Sequence, residues 1–129
     1  MHRQALVSGA LLAAVAVILG AFGAHALKAV LDVNQLNTFE VGVRYHFYHS
    51  FALLITGIIH QAYPNKQVRL ASIFFLIGII LFSGSLYIMT LFNVQGVVGL
   101  KGIGAITPVG GLFFILGWIM LLVGVLKKK

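Results

Sequence analysis

Histidine and tyrosine side chains are concentrated at the start of one apolar segment. The stretch RYHFYHSFALLI, residues 44–55, places two tyrosines and two histidines between positions 45 and 49. Imidazole and phenol groups can bind a metal or a haem, relay protons, or join helices through hydrogen bonds. Another imidazole, that of His25, ends the preceding apolar segment. Which chemistry is open to these groups depends on the helices that bring them together.

Nucleophilic catalysis lacks the residues that it needs. Ser83 and Ser85 lie in the run FSGSLY, residues 82–87, and His49 could act as a base, but no acid is placed to complete a triad. The SGS run is not a nucleophile-elbow motif. The sequence contains no cysteine, which excludes thiolate catalysis, thiolate metal sites and disulfides. No catalytic residue is assigned, and the protein is expected not to be an enzyme.

Few residues of this sequence could serve as ligands of a metal ion or a haem. His25 and His49 on facing helices could provide two axial ligands to a haem. A metal ion would need a third ligand, which only Asp32 or Glu40 could supply through folding of the first loop. We therefore expect no bound metal and no cofactor. Hydrogen bonding between helix ends is the favoured role of both imidazoles, with a proton or ligand site as the alternative.

The composition places this chain in a lipid environment. Of its residues, 60% are hydrophobic and 9% are charged, whereas a soluble domain has about 25% charged residues. The chain has nine lysines and arginines but only two acidic residues. These cations flank apolar segments, which indicates contact with lipid headgroups rather than with nucleic acid. The expected partners are membrane lipids, and a second copy of the chain or another membrane protein is a further possibility.

Four segments are long and apolar enough to cross a bilayer, whose core of about 30 Å requires roughly 20 helical residues. They span about 5–27, 39–63, 70–92 and 108–126. A short polar segment separates the first two and a glycine-rich loop separates the last two, where Thr107 and Pro108 predict an N-cap. The first segment is too long for the apolar part of a signal peptide, so we expect it to be retained. The fold class predicted is all-α: residues 1–129 form a single domain, an integral membrane four-helix transmembrane bundle.

The cations predict the orientation of this bundle. One side carries six of them: Arg3, Lys66, Arg69, Lys127, Lys128 and Lys129. The other side carries three: Lys28, Arg44 and Lys101. By the positive-inside rule both termini lie in the cytoplasm. The expected location is the cell membrane, that is, the plasma membrane of a bacterium.

This orientation collects most polar groups of the spans in the outer half of the bundle. The predicted ligand-binding or polar cluster comprises His25, Tyr45, His49, Ser83, Ser85, Tyr87 and Thr107. At about 100° per residue, one stripe of the second span carries Tyr45, His49, Ala52, Thr56 and His60 and is expected to face the bundle. Phe47 and Phe51 lie on the opposite, lipid-facing stripe. Glu40 and Arg44, spaced i,i+4, predict an ion pair near the interface.

Small residues predict where helices pack closely. They are Gly9, Ala13, Ala16 and Gly20 in the first span and Gly110, Gly117 and Gly124 in the last. A second small face of the first span, formed by Ala10, Ala14 and Ala21 and ending at His25, indicates that this helix is packed between neighbours. Trp118 lies near the middle of the last span, so its indole N–H requires an acceptor inside the protein.

Four motifs resemble those of the domain-of-unknown-function 423 family of small four-span membrane proteins, with relatives described as transmembrane protein 256. They are GAFGAHALK (20–28), FEVGVRYHFYHSFALL (39–54), LFSGSLY (81–87) and TPVGG followed by GW (107–118). They lie in all four spans in the family's order. The resemblance implies a four-helix integral membrane protein and implies no activity. In the family pattern the position of His46 is more often another polar residue, so we leave His46 out of the cluster.

Three classes of function follow from these features. The favoured one is a non-enzymatic membrane protein with a structural, membrane-integrity or partner-binding role. The alternative is a small transporter or channel for protons or a small solute, with the polar cluster continued inward by Thr56 and His60. The third is a module that binds a haem, a quinone or a lipid at the outer leaflet.

Overall fold

Helices form nearly all of the computed structural model, which describes residues 2–97 and 101–127. The helices are α1 (Arg3–His25), α2 (Val33–Ala62), α3 (Lys66–Gly78), α4 (Gly84–Val94), α5 (Lys101–Gly104) and α6 (Ile106–Leu126). A 3₁₀ turn, Leu27–Ala29, follows α1, and a π-helical segment, Ile79–Ser83, joins α3 to α4. No strand occurs in these two stretches, which confirms the all-α class. Lys128 and Lys129 of the predicted cytoplasmic tail lie outside the described residues.

Three helical rods are long and apolar enough to cross a membrane. They are Arg3–Ala29, Lys66–Val94 and Gly102–Leu126. The rod Lys66–Val94 consists of α3, the π-helical segment and α4. We call it the third rod because it follows α1 and α2 along the chain. The 30-residue α2 is the most polar of the long helices, and it packs between α1 and the third rod. On its other side the third rod packs against α6, and the main core between these helices contains the fully buried Phe75.

The second helix begins earlier than hydropathy predicts. A capping box at Asp32 starts α2: the Asp32 carboxylate accepts a hydrogen bond from the Gln35 backbone N–H at 2.8 Å, and the Gln35 side-chain oxygen accepts one from the Asp32 N–H at 3.2 Å. The polar residues 33–38 are therefore helical rather than part of a loop. The helix therefore starts before the predicted span of about 39–63, because the cap acts where the chain is still polar.

The prediction that Thr107 caps the last helix is wrong. α6 begins at Ile106, its cap residue Ala105 makes no side-chain capping bond, and Thr107 lies inside the first turn. The Thr107 hydroxyl hydrogen-bonds to the Ser85 hydroxyl on the third rod. Pro108 is accommodated because N–H groups in the first turn of a helix have no intrahelical partner.

The small residues of α1 face a single neighbour. A Cβ added to Gly9 would lie 2.9 Å from the Ser50 carbonyl oxygen of α2, and Ala16 is buried. Ala13 and Gly20 are half-buried. The second small face, Ala10, Ala14 and Ala21, is exposed, so within this chain α1 has a neighbour on one side only. Small residues permit close approach, but they do not require a neighbour on every side.

Three buried glycines at heptad spacing join α6 to the third rod. Gly110 lies against the backbone of Phe82, Gly117 against the ring of Phe75, and Gly124 against Val68. At the Gly124 end, the Asn65 side-chain amide donates a 2.8 Å hydrogen bond to the Gly124 carbonyl oxygen. These contacts between α6 and the third rod place the side of α6 that carries Phe114 and Trp118 next to the polar residues of α2.

Candidate functional site

His49 stands at the centre of the contact between α2 and α6. Its side chain is buried, and its Nδ1 lies 2.7 Å from the backbone oxygen of Tyr45, one turn earlier. A carbonyl oxygen can only accept, so Nδ1 carries the proton. The lone pair of Nε2 then accepts the indole N–H of Trp118 at 3.2 Å. Both nitrogens of this neutral imidazole are therefore engaged, and the acceptor predicted for Trp118 is present.

Aromatic rings hold the His49 imidazole in place. The ring stacks on Phe114 with centroids 3.5 Å apart and planes 8° from parallel. Phe75 lies 5.6 Å away at a tilt of 47°, and the Tyr45 ring lies nearly parallel to the imidazole at 6.2 Å. Stacked and edge-on aromatic contacts each add stability beyond their buried area. The imidazole is thus fixed in position by packing as well as by its hydrogen bonds.

A groove opens beside His49 between α2 and α6, and its volume is about 770 Å³. The groove is open along one side, and its lining is mainly apolar. From α2 and the third rod it takes Tyr45, Tyr48, His49 and Phe82, and from α6 it takes Pro108, Gly111, Leu112, Phe114, Ile115 and Trp118. Tyr45 is 39% exposed and Tyr48 is 54% exposed, and neither hydroxyl has a hydrogen-bond partner in the described chain. These two phenols are the groove's free polar groups.

Three further residues of the predicted cluster, Ser83, Ser85 and Thr107, lie outside the groove and join helices. The buried Ser83 donates a 2.7 Å hydrogen bond to the Gly42 carbonyl oxygen of α2. Ser85 donates to the Phe82 carbonyl oxygen at 2.8 Å, so its hydroxyl oxygen accepts from the Thr107 hydroxyl of α6. The cluster predicted as one site is therefore divided between the groove and two interhelical contacts, which we call the seams: Ser83 with Gly42 of α2, and Ser85 with Thr107 of α6. Ser83 and Ser85 are two residues apart on the third rod and so face different neighbours.

His25 does not belong to either group. It lies exposed at the end of α1 and makes no side-chain hydrogen bond to any other described residue. The prediction that it approaches His49 was wrong, since the α1 face that carries it points away from the bundle. A haem held between the two imidazoles has no support here, because both nitrogens of His49 are already engaged. Within residues 2–97 and 101–127, no group of three His, Asp or Glu residues could hold a metal ion.

His46, which is not part of the predicted cluster, is the second buried imidazole. It is 2% exposed, and its Nδ1 lies 2.8 Å from the Tyr87 hydroxyl. Its Nε2 is buried without a hydrogen bond; the Leu12 backbone of α1 approaches the ring, but not with hydrogen-bonding geometry. The small residues Gly42 and Ser50, one turn to either side of His46, were the available signal that this stripe faces a neighbour.

The predicted polar stripe is closed at Thr56 by packing and hydrogen bonds. Ala52 and Thr56 are buried, and the Thr56 hydroxyl donates to the carbonyl oxygens of Ala52 and Leu53 at 2.6 and 2.9 Å. His60, at the far end, contacts the His2 ring with centroids 5.5 Å apart. A transporter requires a hydrated path between His49 and His60. The packing at Thr56 argues against such a path.

The predicted ion pair between Glu40 and Arg44 is not formed. Both side chains are exposed on α2, and among the described residues no cationic nitrogen lies within 4.0 Å of a carboxylate oxygen. An exposed i,i+4 pair contributes only about 0.3–0.5 kcal/mol in water, so spacing alone does not hold two long side chains together. Both residues instead line a smaller groove of about 250 Å³ between α1 and α2.

Comparison with known proteins identifies the family. The model of a family described as "Protein of unknown function (DUF423)" matches residues 19–111, which include both seams and the α2 side of the groove. This chain belongs to the DUF423 family. That finding confirms the resemblance seen in the four motifs.

Relatives of this DUF423 protein come from several bacteria, and their names describe membrane proteins. A UPF0382 membrane protein of Staphylococcus aureus is 43% identical over 122 residues, which cover 95% of this chain and 94% of the relative. The UPF0382 membrane protein YwdK of Bacillus subtilis is 39% identical over 95% of each chain. One from Haemophilus influenzae is 40% identical over 88% of this chain and 86% of the relative. No solved structure matches this chain. With three rods able to cross a membrane, the DUF423 protein is an integral membrane protein.

Proposed function

We propose that this DUF423 protein is a non-enzymatic membrane protein that binds an apolar membrane molecule in the groove between α2 and α6. The groove itself is the observation that carries this proposal: about 770 Å³ of mainly apolar space with two free phenols at Tyr45 and Tyr48. Ligand pockets in proteins are typically about 300–1,000 Å³ and combine apolar walls with few polar groups. The proposal favours the binding role over the purely structural one.

The residues that line the groove indicate which kind of molecule it binds. His49 has no free nitrogen, so the groove offers no charge and no metal ligand. The free phenols of Tyr45 and Tyr48 can donate to an ester or carbonyl oxygen, which in hydrocarbon has no water to bond with. A neutral lipid with an apolar chain and an acceptor oxygen satisfies both walls and phenols. The serines of the seams are engaged with backbone carbonyls, which supports a role without catalysis.

Fluorescence of Trp118 tests this binding, because it is the chain's sole tryptophan and lines the groove. In bilayers containing a few mole percent of a brominated diacylglycerol, we expect quenching that saturates with the probe. Leu112 lines the groove and is 55% exposed, whereas Leu122 lies outside it and is 59% exposed. Leu112→Phe should fill the groove and weaken the saturable quenching several-fold, whereas Leu122→Phe should not. Quenching that rises in proportion to the probe, equally in both variants, would sink the proposal.

We also infer that the chain crosses the membrane four times with both termini in the cytoplasm. Two contacts between α1 and α2 support the fourth crossing, because they place α2 at the same depth as α1. At one end the His2 N–H donates to the Gly57 carbonyl oxygen at 3.1 Å, and at the other Gly23 lies against Phe39. The distribution of cations supports the orientation.

Cysteine labelling tests this topology in a chain that has no native cysteine. Asn34 and Gln61 are exposed amides near opposite ends of α2. We expect a membrane-impermeant maleimide to label Asn34→Cys in intact cells and Gln61→Cys only after permeabilisation. Labelling of both positions in intact cells would show that α2 does not cross the membrane. The reversed pattern would show that the orientation is inverted.

A further inference from the structure

Two charged residues lie on an exposed face of α2 that continues as aromatic surface. Glu40, Arg44, Phe47 and Phe51 are spaced by four, three and four residues, which places them on one stripe of the helix. Phe51 is 47% exposed, and its ring packs edge-on against Phe47. We call these four residues the outer α2 face. It borders the smaller groove between α1 and α2, where Gly20 leaves space.

Arg44 of the outer α2 face lies well below the helix ends. Val43, next to Arg44, packs against Gly20, five residues before the end of α1, or about 8 Å along the helix. Gly42 lies against Leu86, eight residues before the end of the third rod, or about 12 Å. Both neighbouring helices therefore place Arg44 within the apolar depth of the bundle. Glu40 lies nearer the outer end, because Phe39 beside it packs against Gly23, two residues before the end of α1, and against Tyr87 of the third rod.

Charges at this depth normally find a partner, and within the described chain these two have none. Ionisable groups inside a membrane usually face a protein interior and pair with one another. Here Glu40 and Arg44 point outward instead, and neither is within salt-bridge distance of another described charge. The partner of this face must offer a positive group to Glu40 and a negative group to Arg44 at nearly the same depth.

We propose that the outer α2 face binds the same face of a second copy of this chain. A two-fold axis along the membrane normal would bring two α2 helices side by side and parallel. Glu40 of each copy would then pair with Arg44 of the other, which is the self-complementary arrangement that a two-fold interface requires. The offset of one turn, about 6 Å, is within reach of a long arginine side chain. Phe47 and Phe51 continue the contact inward.

Charge complementarity selects a second copy over a lipid. A lipid phosphate could neutralise Arg44, but it would leave Glu40 unpaired and would repel it. A second copy neutralises both residues with equal and opposite charges and adds aromatic contact below them. The two copies also keep the same orientation in the membrane, because the axis runs along its normal.

Disulfide cross-linking in native membranes tests the interface. Phe51→Cys places a thiol on the outer α2 face, whereas Ile119→Cys places one on the exposed side of α6, at 44% exposure. We expect mild oxidation to give a covalent dimer of the Phe51→Cys protein and little dimer of the Ile119→Cys protein. Equal cross-linking of the two would overturn the proposal, since it would reflect random collision.

Charge reversal tests the reciprocal pairing. In the Phe51→Cys background, Glu40→Arg alone or Arg44→Glu alone opposes like charges across the axis, so the cross-linked fraction should fall about tenfold. Co-expression of these two variants makes both pairs complementary in the mixed dimer and should restore the cross-link. A variant that had failed to fold could not be rescued in this way. Unchanged cross-linking in the single variants, or no recovery in the mixture, would contradict the proposal. Loss of a co-purifying anionic lipid on Arg44→Gln, without any dimer, would assign the face to lipid.

Discussion

Replacing Gly110 by alanine is expected to lower the free energy of unfolding by about 3 kcal/mol, the upper end for overpacking. A Cβ at Gly110 would press on the backbone nitrogen of Phe82 and lie 2.7 Å from its Cα. Backbone atoms cannot rotate away as a side chain does, so α6 would have to separate from the third rod. Thermal unfolding in detergent, followed by Trp118 fluorescence, measures this loss.

Gly111→Ala is the matched control for this prediction. A Cβ at Gly111 would meet only the Phe82 ring, at 3.7 and 3.9 Å, which is ordinary van der Waals contact. Because alanine favours a helix over glycine by about 1 kcal/mol, this neighbouring substitution should be neutral or slightly stabilising. Equal losses in the two variants would mean that the effect comes from the helix itself and not from the close approach at Gly110.

Replacing His49 by alanine is the second large expected effect, a loss of about 2–4 kcal/mol in the free energy of unfolding. The substitution removes the ring that stacks on Phe114 and leaves the Trp118 N–H without its acceptor. An unpaired donor in hydrocarbon is costly because no water replaces the lost bond. The loss is measured by thermal unfolding followed by circular dichroism.

Two comparisons separate the hydrogen bond from the rest of this loss. His49→Ala combined with Trp118→Phe should cost less than the sum of the two single variants, because each already breaks the shared bond. His25→Ala removes an exposed imidazole with no bonded partner in the described chain and should change stability by less than about 0.5 kcal/mol. Strict additivity at His49 and Trp118, or a large loss at His25, would refute the assignment of the two imidazoles.

Hydropathy and small-residue spacing predicted much of the packing. The heptad glycines of α6 face the third rod, because a helix pair in lipid approaches closest where side chains are absent. The need of Trp118 for an internal acceptor followed from the lack of water, and His49 meets it. Both inferences rest on single helices, and each was therefore available from local spacing.

The arrangement of the polar groups could not be predicted in the same way. Lipid and protein interior are both apolar, so nothing in the composition of α1 distinguishes its bound face from its exposed one, and His25 was placed on the wrong side. His46 was missed because its partner Tyr87 lies 41 residues away. The spacing of Glu40 and Arg44 permits a pair without fixing the rotamers that would form it.

The π-helical segment Ile79–Ser83 rotates the outer half of the third rod relative to its inner half. A π turn takes up one extra residue, which rotates everything beyond it by about 100° relative to an unbroken α-helix. The inner half seals against α6 through Phe75, while in the outer half Ser83 meets α2 and Ser85 meets α6. Loss of a single residue within this segment would remove the π turn together with the residue that it absorbs, so the outer half would keep its faces. Homologues one residue shorter here would present the same polar groups to α2 from an uninterrupted α-helix, whereas loss of the π turn without loss of a residue would rotate the outer half by about 100°.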